Sequence, residues 1–141
     1  MDIFDVLGPV MIGPSSSHTA GLVRIGNVAH EMLGDTPDYA HIQFHGSLAK
    51  TYRGHGSDKA IVAGLMGFET DDARIRDSLK LAKEGGMKYD IETVVLENAH
   101  PNTVVVHGGK AGEEAITLRA SSIGGGNIEI EEINGATITN G

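Results

Sequence analysis

The sequence predicts an α+β domain, a mostly antiparallel sheet with helices packed on one side. Three observations predict it. Segments with helical apolar spacing fall within the first 84 residues. Short alternating segments, separated by Gly, Asn or Pro turns, fill the second half, and helices early with strands late favour α+β over α/β alternation. The chain has 141 residues, 40% of them apolar, which fits one domain with its own core.

The elements follow in order. Residues 2–12 alternate weakly and read as a short strand or turn running into Gly13-Pro14. A helix is predicted from Ser16 or Ser17 to Leu33, because Leu22, Ile25, Ala29 and Met32 share one face, and Gly34 is its C-cap. Residues 36–39 turn at Pro37, and residues 40–45 read as a strand on which His41, Gln43 and His45 share a face. Gly46-Ser47 breaks that strand before a short helix over 47–52. The loop Gly54-His55-Gly56 opens a helix over 57–66, capped by Ser57 or Asp58; its Ala60-Ile61-Val62-Ala63 is apolar all round and therefore buried. A surface helix is predicted over 71–84, with Asp71 and Asp72 in its first turn, Ile75, Leu79 and Ala82 facing the core, and Gly85-Gly86 stopping it. Strands are predicted over 87–96, 102–107, 113–120, 127–133 and 136–139, the last two joined by the hairpin signal Asn134-Gly135.

Composition excludes several classes. The net charge is −8 with no basic stripe, which disfavours nucleic acid, since neutralising phosphates needs clustered Lys and Arg. No apolar run approaches the ~18 residues of a membrane span, and no secretory signal pattern opens the chain. There are no cysteines, which rules out disulfides, a cysteine nucleophile and any self-contained iron–sulfur or zinc–thiolate site, and fits a cytoplasmic protein. No His-Glu-x-x-His motif is present, so no metal site of its own is expected. Seven histidines are the residues to watch near pH 7. Of these, His30, His41, His45 and His107 are expected to be structural.

Four loops could carry chemistry. Gly13-Pro14-Ser15-Ser16-Ser17-His18-Thr19 runs into a helix start, whose unpaired N–H groups, dipole and hydroxyls suit a carboxylate or phosphate. It is equally readable as a well-capped helix with spare serines. In Arg53-Gly54-His55-Gly56-Ser57-Asp58-Lys59 a histidine between glycines can approach a ligand, and Lys59 in a first turn can meet an anion; a solvated glycine turn is the alternative. In Ala99-His100-Pro101-Asn102-Thr103, Pro101 holds His100 extended, though an ordinary turn explains the same residues. Ser121-Ser122-Ile123-Gly124-Gly125-Gly126-Asn127 is a glycine-rich connection between strands, either a close backbone approach to a ligand or a β-bulge or flexible turn.

Taken together, these strings resemble the iron–sulfur L-serine dehydratases. Gly13-Pro14-Ser15-Ser16-Ser17-His18-Thr19, Gly46-Ser47, Gly54-His55-Gly56-Ser57-Asp58-Lys59, His100-Pro101-Asn102 and Ser122-Ile123-Gly124-Gly125-Gly126 occur in that order in the family, as does the opening Phe4-Asp5-Val6-Leu7-Gly8-Pro9-Val10-Met11-Ile12. The resemblance covers the whole chain. It implies a β subunit of the two-subunit type, one domain over residues 1–141, with the family's C-terminal ACT domain absent or removed. It implies a fold like the allosteric substrate-binding domain of some phosphoglycerate dehydrogenases.

It further implies conversion of L-serine to pyruvate and ammonia at a [4Fe–4S] cluster ligated by cysteines of an α subunit. There one iron acts as Lewis acid and a base takes the Cα proton. By resemblance, His55 is that base, and His18 and His100 orient substrate or shuttle protons. Ser15, Ser16, Ser17, Thr19, Ser47, Asn102, Gly124 and Gly125 bind substrate, with Lys59 adding charge. The expected assembly is a homodimer or a heteromer with the α subunit. Three readings stay open: a catalytic partner, an L-serine-sensing regulatory module, and a dimerisation platform. Loops converging on an open face favour the first, a closed self-contained pocket the second, and an exposed apolar patch away from the histidines the third.

Overall fold

A computed structural model describes residues 15–51 and 56–137, with the side chains of residues 15–17 and 51 outside that description. The element read over residues 2–12 and the Gly54-His55 part of the second loop therefore lie outside the described residues. The described elements are α1 (Ser15–Leu33), β1 (Tyr39–His45), α2 (Ser47–Thr51), α3 (Ser57–Leu65), a 3₁₀ helix (Ala73–Asp77), α4 (Ser78–Glu84), β2 (Lys88–Val94), β3 (Thr103–Gly109), β4 (Ile116–Gly124), β5 (Asn127–Ile133) and β6 (Ala136–Thr137). None of these helices is long and apolar enough to cross a membrane.

The strands form one six-stranded sheet in the order β2-β1-β3-β4-β5-β6. Every neighbouring pair is antiparallel except β1–β2, which is parallel. A parallel pair needs a crossover, and α2, α3 and α4 supply it. Strand alternation gives the sheet two unlike faces. Ala40, Ile42, Phe44, Val104, Val106, Leu118 and Ala120 point to one face and are buried with Leu22, Ile25 and Ala29 of α1 and Ile61 and Leu65 of α3. His41, Gln43, His107, Thr117 and Arg119 point to the other face, which stays polar.

The α+β class and the helical face of α1 are as the sequence predicts. Gly34 ends α1 at φ 78°, its N–H donating to the His30 carbonyl. Asn134 and Gly135 both take positive φ, as a two-residue hairpin between β5 and β6 requires.

Three expectations are corrected. The helix predicted over 71–84 is a 3₁₀ helix followed by α4. Asp72 caps the 3₁₀ helix by accepting from Arg74 N and the Arg74 guanidinium, which also stacks on Phe68 at 4.1 Å. Buried Ser78 then donates to the Lys59 carbonyl and restarts the chain as α4. No side chain caps α3: Gly56 occupies the N-cap in the left-handed region, while the Asp58 carboxylate accepts from Lys59 N and Ser57 is buried. Finally, β4 extends to Gly124, so Ser121 and Ser122 lie in a strand, not in a loop.

Candidate functional site

Antiparallel connections bring several loops to one end of the sheet, where β1 and β2 finish, β3 begins and the β4–β5 turn lies. The first turns of α1 reach the same end. Ser122, fully buried near the end of β4, sets its Oγ 2.9 Å from His18 Nδ1. On the other side of the ring, His18 Nε2 lies 3.4 Å from Asn102 Nδ2. With the Asn102 amide donating, Nε2 accepts and the ring proton sits on Nδ1, where Ser122 Oγ accepts it. Asn102 is tied to β4 as well, since its carbonyl accepts from Ser122 N at 3.0 Å.

Two close approaches fix these pieces. Gly21 faces Ser122, and a Cβ there would overlap the Ser122 hydroxyl and lie 3.0 Å from its Cβ. Gly46 has φ 64° and faces the Pro101 carbonyl, leaving no room for a side chain. Ser47 N donates to that carbonyl at 2.8 Å, so the Gly46-Ser47 break and the His100-Pro101-Asn102 turn are one unit. Within the turn, Asn102 N donates to His100 Nδ1 at 3.0 Å and Thr103 Oγ1 donates to the His100 carbonyl at 2.7 Å.

The structure therefore unites three of the four loops singled out in the sequence. His18, Asn102 and Ser122 are in direct contact. His100 and Ser47 stand beside them, both exposed, and half-buried Thr19 follows His18 in α1. Gly124, Gly125 and Gly126 turn the chain at positive φ, with Gly126 seated against Ala20 and Arg24. Ser15, Ser16 and Ser17 form the first turn of α1 immediately before His18. His55 lies outside the described residues. Lys59 is exposed, and its described partners, Asp58 and Ser78, belong to α3 and α4 rather than to this cluster.

Sequence reasoning missed four residues here. Arg24 places its guanidinium beside the glycine turn, with Nε 3.9 Å from where a Gly126 Cβ would be. Thr103, Arg119 and Glu131 support the His100 turn from the opposite sheet face. Strand alternation through Ser121 is the signal that would have found the last three.

The remaining histidines all make contacts within the fold. His30 Nδ1 lies 2.9 Å from the Leu65 carbonyl at the end of α3. His45 Nδ1 accepts from Leu96 N. His41 bridges Asp90 Oδ2 at 2.6 Å and Glu92 Oε2 at 2.7 Å. Hydrogen bonds to the Glu92 and Asp90 carboxylates hold the His41 ring above the ordinary histidine range, against the opposing effect of burial. Gln43 and His41 in turn hold Glu92 below the usual carboxylate range. The ladder runs on through Gln43 to His107 and Thr117, with the His41 and His107 rings stacked at 5.9 Å.

No group of three or more His, Cys, Asp or Glu able to hold a metal ion exists among the described residues. The sequence has no cysteine. These residues do not fit an iron–sulfur cluster, so any such group would be ligated elsewhere.

The family model described as serine dehydratase beta chain matches residues 1–94. The chain is 48% identical to the "L-serine dehydratase, beta chain" of Peptoniphilus asaccharolyticus, over 96% of this chain and 61% of that one. It is 46% identical to the "Probable L-serine dehydratase, beta chain" of Bacillus subtilis, over 94% of this chain and 60% of the relative. "L-serine dehydratase 1" of Escherichia coli is 30% identical over 99% of this chain and 36% of its own length. The chain thus spans about 60% of the length of the beta chains it matches.

Proposed function

The chain belongs to the serine dehydratase beta chain family, and from that premise we propose that it is the part of an L-serine dehydratase that completes an active site shared with an α chain. The observation that carries this reading is the contact of His18 with both Asn102 and Ser122 at an open end of the sheet. Exposed His100 and Ser47 border the cluster, which favours a surface shared with a second chain over a closed sensing pocket.

In this reading L-serine loses water to give aminoacrylate, whose imine takes water back up and yields pyruvate and ammonia. The [4Fe–4S] cluster, ligated by the partner chain, supplies Lewis acidity. This chain's residues bind the substrate and handle its protons. The first turn of α1, with Ser15, Ser16, Ser17 and Thr19, offers hydroxyls and N–H groups to a carboxylate. The Gly124-Gly125 turn leaves room for its backbone to approach the ligand, beside the Arg24 cation. Arg24 adds a second positive charge to the one that Lys59 supplies. His18, held on both ring nitrogens, orients the substrate, and His100 stands at the rim as a proton carrier. His55 is the base that removes the Cα proton, the general-base role histidine fills most often. The assembly is cytoplasmic.

The test is anaerobic co-expression with a serine dehydratase α chain, followed by assay of pyruvate from L-serine. The assembled pair is expected to turn over serine and this chain alone is not. The His55→Ala variant is expected to assemble normally and lose at least a hundredfold in kcat. Near-normal turnover by that variant would remove His55 as the base. Turnover by the isolated, metal-free chain would overturn the shared-site reading.

A further inference from the structure

Ser121 and Ser122 are successive residues of β4, so they point to opposite faces of the sheet, and both are fully buried. Ser122 meets His18 on the helix-covered face. Ser121 lies on the polar face, with its Oγ 2.9 Å from Thr103 Oγ1 and 2.5 Å from Glu131 Oε2. Thr103, also fully buried, donates its one hydroxyl proton to the His100 carbonyl at 2.7 Å, and Ser121 donates its own to Glu131, so the two hydroxyls meet as packed neighbours. Arg119 Nε holds the other Glu131 oxygen at 2.9 Å, and both side chains are only about a quarter exposed.

Glu131 reaches this position through a β-bulge. Arg119 pairs with Glu132 and Ala120 with Ile130, which leaves Glu131 as the extra residue. Both glutamates thereby stay clear of the core, while Ile133 returns to it.

We propose that Glu131, acting through Ser121 and Thr103, is a positioning residue for the His100-Pro101-Asn102 turn, and so for the Asn102 amide that faces His18. The inference rests on the serine dehydratase reading for its functional consequence but not for its geometry. Hydrogen bonds to a charged acceptor are roughly twice as strong as neutral ones. A buried hydroxyl stripped of its partner is costly. A carboxylate anchored by Arg119 thus fixes the Ser121 hydroxyl, and the Thr103 hydroxyl that holds the loop backbone packs against it. The turn is then held in the plane of the sheet by Ser122 N on the Asn102 carbonyl and from the polar face by Thr103 Oγ1 on the His100 carbonyl.

The test uses Thr103→Val, Thr103→Ser and Glu131→Gln in the full chain. Amide hydrogen exchange is followed at residues 100–103 and 122, with Val106 and Leu118 as core controls. Thr103→Val is expected to speed exchange in the turn about tenfold and leave the controls within twofold, Glu131→Gln to do so less, and Thr103→Ser to match the parent chain. In the complex with the α chain, Thr103→Val is expected to raise KM for serine about tenfold with kcat changed less than threefold, since a small misplacement weakens binding geometry, and Thr103→Ser to restore it. Unchanged exchange in the turn, or equal acceleration at the controls, would overturn the proposal. If the parental complex shows no serine turnover, the dehydratase reading fails and the exchange measurement alone decides the latch.

Discussion

Gly21→Ala should uncouple His18 from Ser122, and its size follows from the packing. The new methyl group would overlap Ser122 Oγ and stand 3.0 Å from Ser122 Cβ, against the 3.5–4.0 Å of an ordinary carbon contact. Ser122 lies in an inner strand and its own N–H is bound to Asn102, so β4 has little freedom to retreat. Overpacking of this kind is worth ~1–3 kcal/mol. Expelling Ser122 Oγ from His18 Nδ1 loses about 1 kcal/mol more. Alanine in place of glycine inside a helix returns about 1 kcal/mol. The balance is about 2 kcal/mol of destabilisation, or about 6–8 °C in Tm for a chain of this length. Urea and thermal unfolding of Gly21→Ala, Ser122→Gly and the double variant measure it. Ser122→Gly removes both atoms that the new methyl meets, so the double variant should be less destabilised than the sum of the singles by about 2–3 kcal/mol. Additivity within about 0.5 kcal/mol would refute the claimed contact.

Two further outcomes follow from the same structure. Because His41 is held above its unfolded value of 6.5, its ion pairs stabilise the fold fully below that value and lose their effect as pH rises through the folded pKa. Glu92, held below 4.5, contributes only above its own titration, so His41→Asn should lower Tm most near pH 6 and hardly at pH 9; an equal loss at both would refute the charge-based account. Both carboxylates are exposed, so 0.5 M salt, whose screening length is only about 4 Å, should shrink the difference. At the crossing of α1 and α3, a Cβ on Gly64 would overlap the Val23 carbonyl and stand 2.9 Å from Gly26 Cα, all backbone. Gly64→Ala should therefore cost about 3 kcal/mol or more by thermal unfolding, whereas Gly34→Ala, with open space but φ 78°, should cost about 1–2 kcal/mol.

What was legible in the sequence is what local chemistry decides. The spacing of Leu22, Ile25 and Ala29 could serve only one buried helical face, and Asn134-Gly135 could serve only a turn with two positive φ values. The order of the His- and Gly-bearing loops was legible through family resemblance, and the contact of His18 with Asn102 and Ser122 agrees with it. The parallel pairing of β1 with β2 was not legible, because it is set by how α2 to α4 carry the chain across the sheet rather than by either strand. The break before Ser78 was hidden for the same reason, since the bond that sets it goes to Lys59, 19 residues away. The place of Lys59 apart from the His18 cluster was not legible either, because a position in a first turn says nothing about where α3 sits relative to α1. Thr103, Arg119 and Glu131 escaped notice because a strand residue's role depends on its face, and the bulge opposite Arg119 shifts that face by one residue.

The serine pair on β4 also makes the register of this strand a functional quantity. Ser121 and Ser122 serve opposite faces, so a slip of one residue would turn each to the other's face and break both contacts, with Glu131 and with His18. The pair itself adds nothing to the alternation that guards against that slip, because both positions are serine; Leu118 and Ala120 against Thr117 and Arg119 supply it along the rest of β4. A further guard is supplied around the two serines. Two register shifts on the β4–β5 side, at Arg119/Ala120 and Ser122/Gly124, bracket the pair. On the β3 side the Thr103–Ser121 pairing and the bond from Ser122 N to the Asn102 carbonyl fix the other edge. Bulges interrupt the ladder, and two of them within five residues would only weaken an ordinary strand. Their position beside the one pair of side chains that must not be exchanged gives them a purpose: they pin β4 so that the helix-facing hydroxyl reaches His18 and the other reaches Glu131.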